Sequence, residues 1–402
     1  MKNLAVAACL AMLAAGPARS EIRGDAVRIG VLTDMSGVYS ANGGPGSVEA
    51  AKMAAEEFGN TINGKPIVIL QADDQNKADV GATIARQWFD RDGVSAIVDL
   101  VPSPVALAVQ DIVRQNHAIA LISGAASEAM FQENCVATGF VWTQDTYSLA
   151  NGVVSGVWQR THAPWFFINV DIGPSLQLER QARARLAELG GTVVGSVTAP
   201  FTTTDYSSYL IQAQASGAGV LAINTLGGTS NTTKQAAEFG LPAKMTMVLT
   251  TPKNRDLAAI GLPVAKGQLV VTSFHENVSP EARAWSDRFL ARTNAAPSEV
   301  QAGVYSAVRH FLQAVRDTNT TDGEIVAARM RATPVVDAYT RQGTIRADGR
   351  LVHDLYLMRV KAPEQSKGPW DLWEQVEVVP AATAFPPLES SRCPLVRAAA
   401  IR

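Results

Sequence analysis

Residues 27–58 read VRIGVLTDMSGVYSANGGPGSVEAAKMAAEEF. An apolar, β-branched run, Val27–Leu32, gives way to a glycine-rich turn. A pattern follows in which Val48, Ala51, Ala55 and Phe58 share one helical face. Strand, loop and helix in that order mark the first unit of an α/β fold. The loop invites a nucleotide reading, but its spacing rejects one. A dinucleotide fingerprint needs GxGxxG in the tight turn directly after the strand. Here Gly43-Gly44-Pro45-Gly46 stand about a dozen residues beyond it, and no GK[ST] follows.

The same alternation continues outward. Strands are expected at Pro66–Leu70, Ala96–Leu100 and Ile119–Ser123, with helices near Ser47–Phe58, Val80–Arg91 and Val105–Asn116. It then restarts with strands at Trp165–Val170, Thr192–Val197, Val220–Asn224 and Thr246–Leu249. Helices over Leu178–Leu189, Tyr206–Ala215 and Thr232–Phe239 lie between them. Two doubly wound halves, each with its own sheet, account for this most economically. Further helical patterns cover Pro280–Thr293 and Ser298–Asp317. A turn-rich hairpin, Gly343–Gly349, leads into an alternating run, Leu351–Val360. The Pro-rich tail (PWDLWEQVEVVP, then AFPPLESSRCPLV) is expected to wrap the surface.

With 402 residues and 47% hydrophobic content, the chain can bury more than one core. Residues 1–20 stand apart as an expected secretory signal: Lys2, an apolar stretch Leu4–Ala15, then Ala18-Arg19-Ser20. Cleavage after Ser20 takes the formal charge from −2 to −4. Cys9 could be read as a lipidation site, but the apolar run before it is shorter than the ~7–15 residues a signal needs. No later stretch reaches the ~18 apolar residues of a membrane span, so a periplasmic protein is expected. Cys135 and Cys393 then remain, an even count that suggests one disulfide in an oxidising compartment. Mild acidity without a Lys/Arg-rich patch argues against nucleic acid, and no Cys/His cluster points to a metal.

Catalytic motifs are missing too: there is no GxSxG, HExxH or SxxK, and the five histidines are scattered. Each histidine reads as a surface or helix residue, with His353 in a strand near an interface. What the loops offer is serine. Ser103 follows the strand ending at Leu100 and opens a helix, and Ser123-Gly-Ala-Ala-Ser127 follows the next strand. Carboxyl ends of parallel strands are where α/β sheets place ligands. A serine at a helix start can cap the helix or meet an anion, and the residues alone leave both open.

The export signal, residues 27–58, ILQADDQNKADVGATIARQW (69–88) and IALISGAAS (119–127) together resemble the periplasmic solute-binding proteins of branched-chain amino acid-type ABC transporters. FVWTQDTYSLANG, DYSSYLIQAQASGA, KQAAEFG, GTIRADGRLVHDLYL and the KGPWDLW…CPLV ending extend the resemblance from about Val27 to Leu395, in the manner of the aromatic and organic acid-binding branch. It implies a type I "Venus flytrap": two Rossmann-like lobes joined by three crossovers, near Trp142–Tyr147, Thr272–Phe274 and Val352–Leu357. The expected lobes are 25–144 with 275–353, and 145–274 with 354–402. Such proteins bind, without cofactor or catalysis, and present a closed form to a membrane permease, and a monomer is expected. Branched-chain amino acid or amide binding, or a free ligand sensor, are the alternatives.

Carried over by position, the resemblance implies that Ser103 takes a ligand carboxylate. Ala125 and Ser127 supply a carbonyl and a hydroxyl, and Tyr147 stands at the cleft. In the second lobe Ile172 occupies the place of a frequent aromatic, and Gly227 belongs to the glycine-rich cleft loop. Thr250 begins the segment where amino acid-binding members carry the acid that holds an ammonium group. A small carboxylate without an α-ammonium follows as the expected ligand, since an unpaired buried ion is costly. Tyr39 and Phe274 are expected to add an aromatic wall. For Phe201 and Tyr206, packing inside the lobe is an equally good reading.

Overall fold

The computed structural model describes residues 21–250 and 254–400, so the expected signal peptide lies outside the described residues. The first half builds β1 (Val27–Thr33), α1 (Gly44–Glu56), β2 (Thr61–Ile62), β3 (Lys65–Asp73), α2 (Ala78–Gln87), β4 (Val94–Asp99), α3 (Ser103–Asn116), β5 (Ile119–Ile122) and β6 (Gly139–Val141). The second runs through α4 (Thr146–Thr161), β7 (Trp165–Val170), α5 (Gly173–Glu188), β8 (Val193–Ala199), α6 (Ser207–Ala215), β9 (Val220–Asn224) and α7 (Thr229–Glu238). It continues with β10 (Thr246–Leu249), α8 (Asn254–Ile260), α9 (Leu262–Ala265) and β11 (Leu269–Thr272). The chain then returns for α10 (Pro280–Thr293), α11 (Glu299–Thr318), α12 (Gly323–Ala332), β12 (Thr344–Ile345) and β13 (Leu351–Val352). It ends in β14 (Leu355–Val360), β15 (Trp373–Val379), α13 (Ala381–Ala384) and α14 (Pro394–Ala400).

Two sheets result, ordered β2-β3-β1-β4-β5-β6 and β15-β14-β11-β10-β9-β7-β8. Strands β3, β1, β4, β5 and β6 are parallel in the first, and β8, β7, β9, β10 and β11 in the second. Helices cover both faces of each. In the first lobe α1, α10 and α11 pack on one side, while α2 and α3 bury Ile97, Ala120 and Trp88 on the other. In the second, α4 and α5 oppose α6, α7 and α8. Two-sided burial is why these strands read as unbroken apolar runs rather than alternating ones. The strand order reverses between β1 and β4, and again between β7 and β9, which opens a crevice at their carboxyl ends.

Three parts of the sequence reading need correcting. The tail segment around Trp373 is a strand, β15, which pairs antiparallel with β14 at a sheet edge and does not merely wrap the surface. Helix α4, which carries the first crossover, was missed because its many small and polar residues, such as Ser148, Asn151, Gly152 and Gly156, mask the period. Among the histidines, His275 and His353 are buried outside the helices, whereas His310 is a buried residue of α11 and His117 and His162 sit at exposed helix ends, both in left-handed backbone.

A covalent tie joins distant parts of the chain. Cys135 and Cys393 form a disulfide with Cα atoms 5.6 Å apart across 258 positions. The tail is thereby fastened to the first lobe after its last strand has stayed with the second sheet. Arg392 adds bonds from its backbone N–H to Gln132 Oε1 (2.7 Å) and from its guanidinium to Glu133 (3.0 Å).

Candidate functional site

The first-lobe side of the crevice is built from three loops. The loop after β1 is organised by Asp34, whose carboxylate accepts the backbone N–H groups of Ser36, Gly37 and Tyr39 and the Asn76 amide (2.7 Å). Burial works against this charge, but those donors outweigh it and hold the carboxyl below its ordinary range. Gly43 is required by contact: a Cβ there would lie 2.6 Å from Asp99 Oδ2. Gly44 has φ +56°, which a side chain resists. From the far side, Ser298 donates to Asn42 O (2.5 Å) and Gln301 to Gly43 O (3.0 Å), both from the start of α11. The glycines of this loop therefore serve packing and turning. Tyr39 is half-buried, and its phenol is pushed up by burial and by Asp34.

The second and third loops meet over a strained turn. Asp99 and Leu100 both adopt left-handed backbone (φ +84° and +60°), a conformation costing about 1–3 kcal/mol per residue. The turn lets Asp99 O accept from Ser123 N and Gly124 N, at 3.0 Å each, which draws the ends of β4 and β5 together. Ser103, first residue of the 14-residue α3, thereby comes to Ser127: its Oγ accepts the Ser127 N–H at 3.3 Å. Ser127 Oγ in turn accepts from Ala129 N at 3.3 Å, and Ala125 is buried between them. Beneath this loop the Asp99 carboxyl is wholly buried. Burial lifts it to about 7, the hydroxyls of Ser47 and Thr33 oppose that lift, and Asp74 adds to it.

Across the crevice, Ser175 ties two second-lobe loops together. Its hydroxyl accepts from Val170 N (3.1 Å) and donates to Asn224 O (2.7 Å). Ile172 is half-buried just before α5, and Gly227 is exposed with φ +82°. Thr250 is buried and donates to Ile223 O at 3.1 Å, so its hydroxyl is committed to the sheet end. Residues 251–253, which follow it, lie outside the described residues.

The aromatic residues divide. Phe201 is 39% exposed and lies beside Gly227, whereas Tyr206 is fully buried with its hydroxyl against Gly228. Phe274 was expected at the ligand, but its ring belongs to the first-lobe core. It stacks on Tyr339 (5.9 Å, 11°) and meets Trp285 edge-on. Tyr147 is half-buried on α4, where burial and then Glu188 on α5 raise its phenol. The structure thus brings Ser103 and Ser127 together, buries Ala125 in the same loop, leaves Tyr39, Ile172 and Gly227 at loop surfaces, and places Phe274 in the core.

Sequence reasoning missed the crossover chemistry. Arg350 is fully buried and pairs with Asp145 at 2.9 Å, and its other donors reach Val141 O, Leu351 O and Thr143 O. Asp145 also caps α4 through Ser148. The signal was visible in principle, as an Asp-Thr-Tyr-Ser start to a helix, but its partner lies 205 residues away. Among the described residues no cluster of three or more His, Cys, Asp or Glu could hold a metal ion, and no helix is long and apolar enough to cross a membrane.

This architecture has close counterparts. The profile of the family described as periplasmic binding protein matches residues 26–369. A branched chain amino acid ABC transporter periplasmic ligand-binding protein from Burkholderia xenovorans LB400 is 39% identical. The match covers 92% of this chain and 100% of that one, with a TM-score of 0.87. A periplasmic binding protein from Burkholderia mallei is 36% identical over 92% and 99% of the two chains, with a TM-score of 0.86. A Leu/Ile/Val-binding protein homolog 6 from Brucella abortus is 24% identical over 273 residues, covering 66% of this chain and 68% of its own length. Two mixed α/β lobes with serines at strand ends agree with the fold of these solved relatives, one of which is described as an ABC transporter ligand-binding protein. The chain belongs to the periplasmic binding protein family, of the type I fold that serves ABC transporters.

Proposed function

We propose that this protein captures a small organic acid, carrying a carboxylate and no α-ammonium group, and hands it to an ABC permease in the inner membrane. The observation that carries the reading is the Ser103–Ser127 pair at the start of α3. Hydroxyls, backbone N–H groups and the positive end of a 14-residue helix converge there, a combination suited to an anion. Opposite it, Thr250 commits its hydroxyl to Ile223, and the sequence continues Thr251-Pro252 without the acid an ammonium group would need. Tyr39 and Phe201 supply the aromatic surface left at the loops, and Ile172 and Gly227 supply apolar and small contacts.

A thermal-shift panel of benzoates, phenylpropenoates, short dicarboxylates, amides and amino acids, followed by calorimetry, tests this. An organic acid should stabilise the protein, and Ser103→Ala should weaken its binding by about 1.5–3 kcal/mol, the worth of a charge-assisted hydrogen bond. Tight leucine binding with no response to organic acids would sink the reading. Branched-chain amino acid binding is the second reading. It is favoured by the 39%-identical Burkholderia xenovorans protein and by Asp171, an exposed carboxylate at the end of β7 that could meet an ammonium group.

A further inference from the structure

We propose that Glu128 is the positioning residue that latches the two lobes together, and that its grip on α5 sets how readily the crevice opens. Glu128 follows Ser127 on a short turn after β5, in the first lobe, and is only 6% exposed. A single carboxylate oxygen, Oε1, accepts three hydrogen bonds: from Thr146 Oγ1 at 2.8 Å, Gln181 Nε2 at 2.9 Å and Gln177 Nε2 at 3.0 Å. Thr146 is the first residue of α4, at the crossover. Gln177 and Gln181 are one helical turn apart on α5, whose body packs against β7 in the second lobe. Residues spaced i, i+4 share a helix face, so both amides are presented to the same acceptor.

The acceptor itself is held firmly from the first lobe. Gln110 on α3 donates to Met130 O at 2.9 Å, and the following residues Gln132, Glu133 and Cys135 are fastened to the tail. A buried carboxylate is tolerated only where donors surround it. Here Gln177 and Gln181 ride on the body of the other lobe and leave when the lobes part, while Thr146 stays at the crossover. Burial, followed by the neighbouring Asp145 charge, raises this carboxyl above its ordinary range, which the Thr146 and Gln181 donors and the Arg392 charge partly offset. Glu128 therefore favours the approached lobes without touching a ligand, and its neighbour Ser127 belongs to the serine pair. The inference rests on the type I fold and not on the ligand class.

The test uses the full, disulfide-intact protein without ligand, by amide hydrogen exchange and small-angle X-ray scattering. Glu128→Ala and the Gln177→Ala/Gln181→Ala variant should each speed exchange in the first two turns of α5 by about ten-fold or more, the response to losing more than one charge-assisted hydrogen bond. Both should raise the radius of gyration, while exchange in β1 and β3 stays unchanged. Glu128→Gln keeps a carbonyl acceptor and should fall between them and the parent. Combining Glu128→Ala with the two glutamine changes should add nothing beyond either. The proposal fails if Glu128→Ala speeds exchange only around residues 127–131 and leaves α5 and the radius of gyration as in the parent. It fails equally if the effects of the two partners simply add. The alanine pair on half-buried α5 positions keeps the test open should Glu128→Ala fold poorly.

Discussion

The lobes meet differently at their first and second crossovers. Beside the first, Arg350 and Asp145 are both fully buried, the disulfide lies close in the chain to Glu128, and Arg350 stacks over Phe385 at 4.4 Å. Beside the second, a groove of about 470 Å³ separates α10 from the β14–β15 loop. Its ion pairs, Lys361–Asp371 and Arg283–Glu276, keep partial access to water. One junction is dry and interlocked; the other is wet and loosely filled. A buried pair is costly to halve, whereas an exposed one contributes little. The lobes should therefore pivot about the buried Arg350–Asp145 pair, while the second junction and the Glu128–α5 contacts give way as they part.

The largest effect that would break this contrast is at Arg350. Arg350→Met leaves Asp145 buried without its partner and should cost about 3–5 kcal/mol in denaturant unfolding. A cost under about 1 kcal/mol would mean the first junction is no tighter than the second. Cys135→Ser with Cys393→Ser should cost about 2–5 kcal/mol, as removal of a native disulfide that closes a long loop does, and calorimetry reads it directly.

Acid should act at both junctions next. His353, wholly buried against Tyr339 and Phe385, is held down to about 4 by burial and then by the Arg350 charge. His275 at the second junction is held near the same value by burial, against its bond to Gln375. A depressed histidine contributes stability that is complete above about 6.5 and is lost as pH falls toward 4, so both oppose acidification. For His353 the loss should approach about 3 kcal/mol, and exchange measured at pH 4.5 against pH 7 should loosen the segment around Thr143 and Arg350. His353→Gln should remove most of that pH dependence. The smallest effect is at the wet junction: Arg283→Ala, whose guanidinium is 44% exposed and 3.5 Å from Glu276, should change stability by less than about 1 kcal/mol.

The fold was legible because its strands are buried on both faces and its helices carry clear periods. Trp165–Val170, Val220–Asn224, Thr246–Leu249 and Pro280–Thr293 appear with the ends the residues suggest. Helix α4 was not legible, since Gly152 and Gly156 are small to admit Val271 and Leu357, a tertiary reason that no local pattern carries. Around the crevice, residue types at strand ends singled out Ser103 and the Ser123–Ser127 loop, which meet in the structure, because the loop chemistry is local. Phe274 went astray because a crossover aromatic can turn toward the cleft or the core, and here Tyr339 and Trp285 offered the better-packed surface. Glu128 and Arg350 could not be found in this way. Gln177 stands 49 positions from Glu128 and Val141 stands 209 from Arg350, and only the packed lobes bring them together.

The bond between Cys135 and Cys393 has a consequence for the order of events in making the molecule. Every strand of the second sheet, and both returns of the chain to the first, lie between these two positions. Synthesis runs from the amino end, so Cys135 exists long before its partner does. The pair therefore cannot form until the chain of both lobes has been synthesised, so this crosslink closes on nearly finished polypeptide.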